Sequence, residues 1–428
     1  MATATSATTF NKFPTELIKM IVRGFSQWEL YQCSLVNKVF HYGTMPLLWQ
    51  TVHLYGEDSM TKFRAGLNEQ QQAAGPVVRV MEGLDQLVCT LDLQNGTTTD
   101  EDMFALMKQI PSLQRLVMSQ QNPCLTELSF HTLPQYWPHL TTLYLVNASL
   151  SPSAFDALGA HCPQLRNLTL HNCTGLTATT FASLQPCPLE KLSIGYFSDT
   201  VWEALDQEVQ EDKDEHLLLN GFGRLTHVAL WSAPPIFVMH SLENARWPRL
   251  THFKLDVLQG GLRDDQGILA FLRNHQRLIC LDLSHGRFTD VVLNTITNHL
   301  PRLMFLDISQ NPNVRRVGVN RLAKQLEYLC FVHLTFCGLS GKHFPEVGFP
   351  RNLDRSGPFA LNRKAIKKLQ DADKATRRHQ PPPTPWLSPA ARRAAEEAAA
   401  AAAAENNDDD KQPTSVDPYW WKESRWLK

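Results

Sequence analysis

Three aspartates recur along the C-terminal half of this 428-residue chain: Asp256, Asp282 and Asp307, at intervals of about 25 residues. Each stands in a leucine-rich stretch, as Leu255-Asp256, Leu281-Asp282-Leu283 and Leu306-Asp307-Ile308. Carboxylates brought side by side repel one another, and a basic group relieves them. The chemistry on offer is therefore capture of a partner bearing Lys or Arg, with Trp231 and Lys254 beside the strip. The alternative is that an Asp at this position bridges neighbouring backbones. Bond-making chemistry is harder to find. The chain holds no G-x-S-x-G, H-E-x-x-H, Walker-type or G-x-G-x-x-G motif, and its sixteen histidines are dispersed. His161 and Cys162 are adjacent, but at the end of a helix-like segment. The reading is a protein that is not an enzyme and takes no cofactor or metal.

A repeating unit must position these residues. Leu165, Leu168 and Leu170 lead into Cys173 as L-x-x-L-x-L-x-x-C, and the spacing recurs. Copies start at Leu113, Leu140, Leu189, Leu225, Leu250, Leu278, Leu303 and Leu329, with a looser copy at Val88, Leu91 and Leu93 and a less regular one at Leu125, Leu128 and Phe130. The alternation gives each unit a short strand with one apolar face. A single unit cannot bury that face, so copies must stack. Helical spacing appears between the strands, over 153–158, 264–272 and 290–296. Repeated about ten times, strand–turn–helix makes a curved solenoid with its parallel sheet inside and its helices outside. Residues between the leucines then face the concave surface, where Tyr144, Trp231, Lys254, Asp256, Asp282, Asp307 and His333 are the candidate target-binding set.

The pattern resembles the cysteine-containing class of leucine-rich repeats over residues 87–345, most closely at Asn172-Cys173 and Phe336-Cys337, with Asn311 standing in for the Cys of its own unit. The interval between Leu189 and Leu225 is longer than the period. Its excess is the acidic run 207–216, read as a solvated insertion.

Ahead of the repeats lies a second pattern. Residues 11–52 read as three short amphipathic helices with more apolar surface than so small a bundle can hide, which calls for a partner. Phe13-Pro14, Glu16-Leu17, Glu29-Leu30, Leu35-Val36-Asn37-Lys38-Val39-Phe40 and Leu48-Trp49 resemble the F-box, departing from it by Phe for Leu, Glu for Asp and Asn for Cys. The resemblance implies docking on a Skp-type adaptor, and through it on a cullin, by Pro14, Leu17, Ile21, Leu30, Val36, Phe40 and Trp49. An F-box followed by leucine-rich repeats implies the substrate-recognition subunit of a Skp–cullin–F-box ubiquitin ligase, with an unidentified protein as target. A scaffold that binds partners without ubiquitin transfer is the alternative.

The rest of the chain sets limits. The net charge of -1 argues against a global nucleic-acid or membrane footprint, and no apolar run reaches the roughly eighteen residues of a membrane span. Nine scattered cysteines and no signal peptide fit a reducing compartment, cytoplasmic, nuclear or both. Residues 1–10 read as disordered, and 53–86 as a linker and N-terminal cap with a first strand at 77–80. Residues 346–428 read as a mostly disordered tail with basic clusters, an Ala-rich helix and an aromatic C-terminus.

Overall fold

The computed structural model describes residues 14–72, 84–94, 98–118, 125–203, 205, 221–234, 242–243, 245–257, 265–349 and 359–378. The expected disorder of 1–10, the acidic run 207–216, the strand at 77–80, the Ala-rich helix and the aromatic C-terminus lie outside them.

Twelve strands form one sheet in chain order. They are β1 (Thr51–Leu54), β2 (Thr90–Leu93), β3 (Arg115–Met118), β4 (Thr142–Val146), β5 (Asn167–His171), β6 (Lys191–Gly195), β7 (His227–Ala233), β8 (His252–Val257), β9 (Cys280–Asp282), β10 (Phe305–Asp307), β11 (Phe331–His333) and β12 (Ala360–Asn362). Strands β1 to β11 pair in parallel, and β12 returns antiparallel to β11. Parallel neighbours need a crossover. Helices such as Asp100–Gln109, Pro152–His161 and Asp290–His299 supply it and bury one face against the sheet. The leucine rows fall in register: Leu116 beside Leu143, Leu168, Leu192 and Val228, then Phe253, Leu281, Leu306 and Val332. They form one continuous core from Val52 to Leu369.

Where a turn carries Cys or Asn at the cysteine position, its side chain reaches back one repeat. Cys173 Sγ lies 3.7 Å from the Leu145 carbonyl and Cys337 Sγ 2.9 Å from that of Ile308. Asn311 does the same work, donating to the Leu283 and Ile308 carbonyls at 2.9 Å while accepting from the Phe288 N–H.

Three boundaries differ from the sequence expectation. The array begins at Thr51 rather than 87, because Val52 and Leu54 alternate inward and Met60, Phe63 and Leu67 of the next helix cover them. The Leu125–Phe130 copy is not a strand. Thr126 caps a helix there, Glu127–Tyr136, by accepting the Leu128 N–H, and Leu128 points outward. Finally, the region assigned to the tail is structured over 359–378. Strand β12 and the helix Arg363–Arg378 bury Phe359, Leu361, Ile366 and Leu369, and so close the apolar end of the last repeat.

The N-terminal unit is α1 (Thr15–Val22), α2 (Gln27–Ser34) and α3 (Lys38–Gln50). A capping box between Ser26 and Glu29 starts α2, and the Asn37 side chain accepts the Phe40 N–H at the start of α3. Its core is separate and small: Ile18, Val22 and Leu30, flanked by Val39, Phe40, Leu47 and Leu48. Among the described residues, no helix is long and apolar enough to cross a membrane.

Candidate functional site

Two surfaces carry the residues singled out by the sequence. On the three-helix unit, the expected adaptor-facing residues separate into two groups. Pro14, Leu17, Ile21 and Val36 are exposed, Ile21 at 57% and Val36 at 63%. Met20, Trp28 and Leu35 are exposed as well. Leu30 instead lies in the unit's core, with Phe40 packed on it. Trp49 turns the other way. It stacks on Phe63 of the first solenoid helix, with ring centroids 6.1 Å apart. The last aromatic of the motif thus joins the unit to the solenoid.

The second surface is the sheet face that bears the residues between the leucines. Register places Tyr144, Thr169, Ser193, Ala229, Lys254, Asp282, Asp307 and His333 in one row across β4 to β11. Asp256 and Trp231 lie further along their strands. The carboxylates are brought together, but two of them are already satisfied within the fold. Lys254 Nζ lies 2.5 Å from Asp282, and His333 Nδ1 lies 2.8 Å from Asp307. Each also accepts a backbone N–H two residues on, Ser284 at 3.0 Å and Ser309 at 2.9 Å. Burial lifts the Asp307 pKa, but the His333 and Ser309 hydrogen bonds outweigh it and hold the carboxyl below its usual range. His333 Nε2 lies 2.7 Å from Thr335 Oγ1, which accepts the Phe359 N–H, so this chain of bonds fastens β12 to the solenoid.

An aromatic wall adjoins the charged row. The pairing of β7 with β8 slips between Leu230 and Ala233, and this bulge re-aims Trp231. Its ring lies back over β6, where Nε1 donates to Ser193 Oγ at 3.1 Å. Gly195 makes room: a Cβ there would come within 2.5 Å of the Trp231 Cβ. Ser193 Oγ also lies 2.9 Å from His171 Nε2, and burial pushes the His171 pKa down to about 4, so its ring stays neutral. Tyr196 stacks on Trp231 at 5.7 Å, and Tyr144 and Tyr196 meet His171 edge-on. Lys254 Nζ lies 4.3 Å from the centre of the Trp231 ring, a cation–π contact.

Sequence reasoning missed several neighbours. Asp92, fully buried, pairs with His53 at 3.0 Å. Its place between Leu91 and Leu93 was the available signal. Tyr196 and His285 stand four residues after Leu192 and Leu281, at the left-handed turn position that Asn147, Asn172, Gln310 and Phe336 hold in their own repeats, so the period itself was the signal.

No protein-family model matches this sequence, and no curated protein does. Among solved structures, one described as the crystal structure of the Rad7 and Elc1 complex in yeast is similar to this chain at 14% identity. The match covers 76% of this chain and 92% of that one, with a TM-score of 0.33.

Proposed function

We propose that this chain is the substrate-recognition subunit of a Skp–cullin–F-box ubiquitin ligase and catalyses nothing itself. The carrying observation is the apolar face of the three-helix unit. Leu17, Met20, Ile21, Trp28, Leu35 and Val36 are exposed, although Ile18, Val22 and Leu30 already provide the unit with a core. A monomer has no use for such a face, whereas an adaptor helix laid across it would bury it. The F-box resemblance of residues 11–52 names the adaptor as Skp-type, with a cullin behind it. The repeats hold the target for ubiquitination and degradation. Holding both on one body raises the effective concentration of a target lysine at the ubiquitin-charged enzyme.

The test is co-purification of the full chain with a Skp-type adaptor, beside the double variant Ile21→Ser/Val36→Ser. These two positions are chosen because they are exposed, whereas changes at Leu30 or Trp49 would disturb the fold itself. A stoichiometric complex that the double variant loses is the expected outcome. A folded chain that binds no adaptor would end this reading.

A further inference from the structure

Two features of this chain stand without a role: an aromatic segment in its sequence and an aromatic wall on its sheet. The segment is 418–426, with one tyrosine and three tryptophans in nine residues. It lies outside the described residues. Phenol and indole rings are costly to leave in water, and the stretch before them, 405–412, is polar throughout and offers no local cover. We propose that this segment, through Tyr419, Trp420 and Trp421, docks on the wall formed by Tyr144, His171, Tyr196 and Trp231.

The wall is built by contacts within the fold. Tyr144, Tyr196 and Trp231 each meet the His171 ring edge-on, with centroids 6.0, 5.5 and 6.0 Å away. Tyr196 also stacks on Trp231 at 5.7 Å. Ser193 occupies the polar atoms of two of these rings, Trp231 Nε1 and His171 Nε2, so what they turn to a partner is carbon. Tyr196 is 45% exposed. The ring cluster of Trp247, Phe253 and Phe271 differs, being buried in the core. Further rings laid on the open side of the wall would extend the stack and leave water together.

The length of chain makes the segment a fitting occupant. Helix Arg363–Arg378 follows β12, and the forty residues 379–418 separate it from Tyr419. Forty residues cover at most about 130 Å. From β12 back to β7 is five strand spacings, about 24 Å. Reach therefore leaves a wide margin, even with the helix layer to go round. A segment of the same chain also binds at a high effective concentration, so a contact too weak for a separate molecule is populated within one. The docking does not rest on the receptor reading. If that reading holds, the segment would lie over Trp231 and beside Lys254, and a target would have to displace it.

The experiment opens the wall in the full chain with Tyr419→Ser/Trp420→Ser/Trp421→Ser/Trp426→Ser. A synthetic peptide of residues 411–428 should bind this variant, and bind the parent about tenfold more weakly because the parent's wall is already taken. Adding Tyr196→Asn to the variant should weaken the peptide about tenfold, the scale of one lost ring contact. Asparagine stands at the same turn position in Asn147 and Asn172, so this change should melt like the parent. The Tyr196 N–H, bonded to the Trp231 carbonyl, should exchange more slowly in the parent than in the variant at every protein concentration. Equal binding to parent and variant, binding that survives Tyr196→Asn, or no binding would each overturn the docking. Protection that grows with protein concentration would put the segment on a second copy and overturn it too. The adaptor test reads α1 and α2, so either result can fail without the other.

Discussion

In the three-helix unit, Leu17, Met20, Ile21, Leu35 and Val36 face outward over a core of only a few side chains. In the solenoid, the helix Gln266–Asn274 shows the reverse: Ile268, Leu269, Phe271 and Leu272 are all buried. Both segments are comparably apolar in sequence. What differs is the presence of neighbours. Each repeat has a copy on either side to cover its face, and the ends are closed by β1 with its helix and by β12 with the helix Arg363–Arg378. Among the described residues, the unit meets the solenoid through α3, where Trp49 stacks on Phe63. Apolar surface that the fold does not bury is therefore concentrated where a second protein can reach it.

The contrast can be broken first in the solenoid. Phe271 is fully buried, 4.3 Å from the Phe253 ring and beside Trp247 and His275. Phe271→Ala should cost about 3–5 kcal/mol in denaturant unfolding, since a stacked core cannot collapse around the void. A loss below about 1 kcal/mol would mean that the repeats are loosely packed.

Acid should separate the two regions next. His275 is held neutral: one ring nitrogen donates to the Phe271 carbonyl at 2.8 Å and the other accepts the Trp247 N–H at 3.1 Å. Burial pushes its pKa down to about 4, and that of His252 likewise. A folded-state value below the unfolded value of about 6.5 means that the unfolded chain takes up protons first. The stabilisation is complete above pH 6.5 and is lost as pH falls toward 4. Hydrogen exchange corrected for intrinsic rates should show the repeats around His275 losing protection between pH 6.5 and 4.5 while α1 to α3 keep theirs. Equal loss in both regions would remove the buried histidines as the cause.

The smallest effect is the most discriminating. Ile21→Ser/Val36→Ser should change the stability of the free chain by no more than about 0.5 kcal/mol, as expected of exposed positions. A larger loss in thermal unfolding would show that this face serves the unit's own packing.

Much of this was written in the leucine spacing. Strand register, the row of residues between the leucines and the equivalence of Asn311 with cysteine all follow from alternation and period, which burial enforces directly. What spacing could not give was decided by contacts distant in sequence. The first copy, Thr51-Val52-His53-Leu54, lacks its leading leucine and is a strand because β2 lies beside it. Leu125, Leu128 and Phe130 fit the strand template, but Thr126 caps a helix, and local hydrogen bonding prevailed over the pattern. The pairing of Asp282 with Lys254 and of Asp307 with His333 depends on which side chains the register sets opposite one another, so the strip read as free charge is largely internal.

Helix α3 ends at Gln50 and β1 begins at Thr51, with nothing between them. On the receptor reading, this junction turns the solenoid into a measuring rod. Each strand advances the sheet by about 4.8 Å, so a target held at β8 would stand about 34 Å along the sheet from β1. A chain with one repeat more or fewer before β8 would present the same target one stride farther out or nearer in. Which lysine of a bound protein comes within range would then be decided by length, with affinity unchanged.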